Sequence, residues 1–123
     1  MIGGTDHVFP VEHPAPALEA LAHIVSAVWP AALFQNAETS EIYENRALPF
    51  DSVAELLVYR DDKVAQSWND HGAMPELQNT MIHILCSEQE LTIVTDEPPT
   101  AEINAIISAF RQIAAARLLI PSA

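Results

Sequence analysis

His83 and Cys86 invite the first chemical reading, an imidazole base three positions from the only thiol in the chain. A thiol becomes a nucleophile when a neighbouring base takes its proton. On a strand, side chains alternate, so two residues three apart point to opposite faces and neither activates the other. Cys86 then reads as a small buried hydrophobe. His83 reads as a half-buried sheet residue with a hydrogen-bond partner, the alternative being a pH-sensitive contact. His7, His13 and His23 lack the close spacing of metal ligands, and His71 beside Asp70 falls where a helix end favours a cation, a simpler role than ligating a divalent metal. Asp61-Asp62 reads as a helix start, and Glu88 with Glu90 as an exposed turn. With 17 acidic residues in 123, carboxylates adjoin by chance, and such pairs are weak grounds for acid–base catalysis. Gly3, Gly4 and Gly72 are the only glycines, too few for a phosphate-cradling loop. No cofactor and no metal site is expected. The most unusual stretch is Trp68-Asn69-Asp70-His71-Gly72, in which Trp68 is expected to lock a short helix onto a sheet. The chemical alternative is a small-ligand or enzymatic pocket near Trp68, His71 and His83, between that helix end and the loop 71–79.

These residues must be positioned by the elements around them. Residues 1–15 hold Gly3, Gly4, Pro10 and Pro14 and read as an extended N-terminal arm that packs through Val8 and Phe9, leaving 16–123 as a single α+β domain. Pro16 suits a first helical position, and Leu18, Leu21, Ala22, Val25, Val28 and Trp29 recur at helical spacing, so a helix is expected over 16–29, ended by Pro30. Leu33-Phe34-Gln35 and Ile42-Tyr43-Glu44 look like short strands. Residues 53–70 admit two readings. Ser52 with Glu55 is a capping-box pattern for one long helix; the preferred reading is a strand over 53–60, a cap at Asp61 or Asp62, and a short helix over 62–70 closed by Gly72. Thr100, with Glu102 in the first turn, starts a last helix over 100–118 whose stripe is Ile103, Ile106, Ile107, Phe110, Ile113, Ala114 and Leu118.

Residues 80–96 form the clearest hairpin. With an even turn, Ile82, Ile84 and Cys86 share a face with Leu91, Ile93 and Thr95, and Met81, His83 and Leu85 share the other with Thr92, Val94 and Asp96. The even choice makes one face nearly pure apolar, which burial favours at ~25 cal/mol per Å². The two long helices are expected to cover it. The mixed face, with Met81, His83, Leu85 and Val94, is then a candidate partner-contact surface, against the plainer reading of an ordinary wet outer face.

The fold class that follows is α+β, an antiparallel sheet of four to five strands in the order α-β-β-β-α-β-β-α. The alternative, a ferredoxin-like βαββαβ core, treats helix 16–29 as decoration and Arg117–Ile120 as a last strand. The preferred order, with the small size and acidity, is similar to that of type III secretion chaperones; that resemblance implies a dimer that binds partly unfolded effectors before export.

Composition narrows function further. Half of the 123 residues are apolar and 18% are charged, so the chain belongs to the globular class. Its formal charge is −12 at pH 7, and Arg46, Arg60, Lys63, Arg111 and Arg117 are scattered, leaving no basic stripe for a nucleic acid or an anionic membrane. One cysteine, with no apolar leader at the N-terminus, fits a cytoplasmic protein. The expected function is a non-enzymatic protein-binding module, such as a small acidic chaperone, an immunity or antitoxin protein, or a regulatory homodimer; a homodimer is the expected assembly, and acidity favours a protein partner with a basic face.

Overall fold

Alternating residues in the hairpin and a 3.6-residue period in the flanking segments build one sheet with helices on both sides. The computed structural model describes residues 4–43, 49–71, 79–96 and 99–116, with the side chains of residues 4, 71 and 114–116 excepted. The elements are β1 (Gly4–Pro10), α1 (Pro14–Val28), β2 (Leu33–Asn36), β3 (Ile42–Tyr43), β4 (Glu55–Tyr59), α2 (Asp62–His71), β5 (Met81–Ser87), β6 (Glu90–Asp96) and α3 (Ala101–Ala116). The six strands lie in the order β1-β6-β5-β4-β2-β3, each pair antiparallel.

The fold is α+β as the sequence predicts, with one strand more than the four or five expected. The additional strand is the supposed arm. Residues 4–10 are extended, and they pair along their whole length with β6, from Gly4 opposite Asp96 to Pro10 opposite Glu90. Of the two side chains expected to pack, Phe9 is buried and Val8 stands in solvent. Phe9 meets Phe110 edge-on, ring centroids 4.9 Å apart, and the Arg111 guanidinium lies over the Phe9 ring 5.5 Å from its centroid.

Helix α1 starts two residues earlier than expected. Pro14 takes its first position and Pro16 its third, both among the N–H groups that have no partner inside a helix. At its end the Trp29 N–H donates to the Val25 carbonyl at 2.7 Å, and Pro30 has no N–H to continue the ladder. Helix α3 is capped by Thr100, whose hydroxyl accepts from the Ile103 N–H at 3.3 Å.

The segment 53–70 is strand plus helix. Glu55–Tyr59 hydrogen-bonds to strands on both sides, with Leu56, Val58 and Tyr59 buried. Ser52 and Glu55 do not form a capping box: the Ser52 hydroxyl donates to the Pro49 carbonyl within a turn, and Glu55 faces His83. The cap of α2 is Asp61, whose Oδ1 accepts from the Val64 N–H at 2.9 Å. Gly72, the loop through Pro75 and Arg117–Ile120 lie outside the described residues.

The hairpin has a two-residue turn, Glu88-Gln89, with Ser87 opposite Glu90 and Ile84 opposite Ile93. The even register sends Ile82, Ile84, Leu91 and Ile93 inward. They meet Leu18, Leu21 and Val25 of α1 and Ile103, Ile106 and Phe110 of α3 in one core. Each large side chain buried there contributes on the order of 1.5–3 kcal/mol. Helix α1 is thus a structural member of the core. The ferredoxin-like alternative fails on this point and on topology: β4 and β5 are immediate antiparallel neighbours, and α2, which connects them, lies on the opposite side of the sheet from α3.

Candidate functional site

The second face of the sheet is assembled from Asp6 and Val8 of β1, Glu90, Thr92, Val94 and Asp96 of β6, Met81, His83 and Leu85 of β5, and Glu55, Leu57 and Tyr59 of β4. The register arranges them in rows. Val8, Thr92, Leu85 and Glu55 lie side by side across four strands, and Asp6, Val94, His83 and Leu57 form the next row. The following row runs from Asp96 through Met81 and Tyr59 toward Leu33.

Helix α2 covers only one side of this face. Val64 and Ala65 pack with Tyr59, and Trp68, Leu33, Leu57 and Met81 close around them. What stays open is an apron over β1, β6 and β5. Val8 is 52% exposed and Leu85 38%, while Thr92 between them is held to 8% by its neighbours. Val94 and His83 are half-buried. The four residues predicted for the contact face, Met81, His83, Leu85 and Val94, do share one side. Met81 differs from the rest, because the α2 cluster shields it and removes it from the open part. Val8, which the sequence assigns to an extended arm, joins this face because β1 pairs with β6.

Charge on the apron has one sign. Asp6, Glu55, Glu90 and Asp96 project on this side, and the six strands contain no Lys or Arg. Asp96 accepts a hydrogen bond from the Asn79 N–H at 3.1 Å, a geometry reached with Asn79 in the left-handed region at φ 63°. Glu55 sits 3.1 Å from the His83 ring, and each side chain keeps about a third of its surface in solvent. Asp6 and Glu90 make no ion pair among the described residues. Elsewhere, Arg60 pairs with Asp61 at 3.4 Å and Arg111 is engaged with Phe9 on the helix side.

The residues read for chemistry separate as their spacing predicts. His83 is on the apron, whereas Cys86 packs against the core on the other side. Burial pushes the Cys86 thiol up to about 11, the reverse of what a nucleophile requires. A cleft of about 500 Å³ beside it is lined by His13, Phe50, Asp51 and Ser87, and a groove of about 520 Å³ between α1 and α3 by Pro16, Glu19, His23 and Ile113. Trp68 locks α2 to the sheet, its indole N–H buried with no partner among the described residues. The His71 side chain and residues 72–78, the proposed rim of a ligand pocket, lie outside the described residues. His7 reaches the Thr95 hydroxyl at 3.3 Å. Among the described residues no three His, Cys, Asp or Glu side chains converge on a point that would hold a metal ion.

No family model, no curated protein and no solved structure matches this chain. Among the described residues no helix is long and apolar enough to cross a membrane.

Proposed function

We propose that this chain is a non-enzymatic protein-binding module and that the apron over β1, β6 and β5 is its docking surface. The observation that carries this reading is the pair of exposed apolar side chains Val8 and Leu85, with half-buried Val94 in the next row, on a sheet face that α2 covers only over the neighbouring strands. A binding surface needs an apolar centre that desolvates on contact and a polar rim that excludes wrong partners, and the apron has both. Catalysis would need a converging constellation, and the one thiol is protonated at neutral pH and faces away from the histidine. A small acidic chaperone, an immunity or antitoxin protein and a regulatory dimer all fall within this class, and a protein of the cell interior is the form we favour.

The test uses tagged full-length chain in its native cell, with Val8→Asp and Leu85→Asp combined in one variant and Glu38→Gln as a control on an exposed turn. Both apron positions are exposed, so the variant keeps its fold, which circular dichroism verifies. Proteins retained by wild type and control but lost from the apron variant support the reading. Identical retention by all three overturns it.

A further inference from the structure

Resting on the docking reading above, we infer that the occupant of the apron is a cationic amphipathic segment of a partner protein. It would carry apolar side chains along one stripe and Lys or Arg on its flanks. The apron's apolar centre spans three adjacent strands: Val8 and Leu85 flank Thr92 in register, and Val94 lies in the next row. Strands sit about 4.8 Å apart, so Val8 and Leu85 are separated by roughly 10 Å, the width of one helix or one pair of strands. A single segment fits there.

The rim selects its charge. Asp6 lies in register with Val94, Glu55 with Leu85, and Glu90 begins the row below Thr92. Among the described residues no strand supplies a compensating Lys or Arg, and the whole chain carries −12. Against a second copy the same rim is repulsive: Asp6, Glu55, Glu90 and Asp96 of one apron would meet the same carboxylates of the other. Like charges juxtaposed across a contact repel, whereas Lys or Arg from a different protein neutralises them. Glu55 and His83 are each about a third exposed, so an incoming guanidinium or ammonium reaches Glu55 without unfolding anything.

The probe is a short labelled peptide alternating Val and Lys with Pro at each end, beside a counterpart in which Glu replaces Lys. Binding to the full chain is read by fluorescence anisotropy. The Lys peptide binds, weakens as salt rises, and loses about tenfold or more in affinity with Leu85→Ser and with Asp6→Lys. Glu38→Lys makes the same change in net charge on a distant turn and shifts affinity less than about twofold. Equal binding of the Glu peptide, or equal loss with Glu38→Lys, overturns the inference. Should the Lys peptide fail while light scattering finds a dimer that tightens with salt and is lost in Leu85→Ser, the docking face stands and its occupant is a second copy, which sinks the cationic partner alone. If neither peptide binding nor self-association responds to Leu85→Ser, the inference and the docking reading both fall.

Discussion

The Tyr59 hydroxyl donates to the Gln35 amide oxygen at 2.7 Å, joining β4 to β2 on the α2 side of the sheet. Both residues are buried. Removing the donor strands an acceptor in a place water does not reach, at about 1–3 kcal/mol. Tyr59→Phe should therefore lower the urea midpoint by that equivalent, and Tyr59→Phe combined with Gln35→Leu should cost less than the two single changes added together. Burial raises the Tyr59 phenol above its ordinary value of 10.0, so folding favours the neutral form. Its contribution is present below pH 10 and fades as pH rises through the higher folded value.

Asp61 gives a dependence of opposite sign. The Val64 N–H first, and Arg60 beside it, hold the carboxyl below its ordinary 3.8. The native state then binds fewer protons than the unfolded chain, so this stabilisation is present above pH 3.8 and is lost as pH falls through the lower folded value. Asp61→Ala should cost ~1 kcal/mol at neutral pH. The difference from wild type should close in the acid limb of a stability–pH profile, and Asp61→Asn, which still caps, should retain part of the stability.

The two faces of the hairpin should respond unequally to truncation. Ile84 and Ile93 are wholly buried in the main core, and Ile84→Ala or Ile93→Ala should cost about 2–5 kcal/mol. Leu85→Ala, on the neighbouring residue but the apron side, should fall within about 1 kcal/mol. Denaturant curves for the three variants measure the register directly; equal losses at 84 and 85 would contradict it.

Cys86 should be slow to react while the protein is folded. With its thiol at about 11 instead of 9.0, the thiolate fraction at pH 8 falls about 100-fold. Alkylation by iodoacetamide at pH 8 should be retarded by at least that order against the urea-unfolded chain, and should show no dependence on His83→Ala, since the ring lies across the sheet.

Much of this architecture is legible from side-chain periodicity. The hairpin register follows from strict alternation with a two-residue turn, and α1 and α3 from stripes that repeat every three or four positions. Segment 53–70 is harder, because Val53, Leu56, Leu57, Val64 and Trp68 fit a helical stripe as well as they fit a strand followed by a helix. The β-rich run Glu55–Tyr59 and the cap at Asp61 decide it. Strand β1 was legible only as extended chain. Its residues, Gly-Thr-Asp-His-Val-Phe-Pro, alternate without an apolar stripe, and its partner is remote: His7 and Thr95 are 88 positions apart. Nothing local announces such a pairing. Parity alone puts Leu85, His83 and Val94 on one face, whereas Val8 joins them only once β1 is known to lie beside β6. The shielding of Met81 depends on where α2 docks, a tertiary fact with no local signature.

That remote pairing has a consequence for how the molecule is made. During synthesis residues 4–10 leave the ribosome long before β6 exists, and they must wait, unpaired, for nearly the whole domain to emerge. Until they close the sheet, the backbone of β6 is a bare edge and the slot for Phe9 is unfilled. A nascent chain stalled before that step would display the bare backbone edge of β6 and leave the slot for Phe9 open to water.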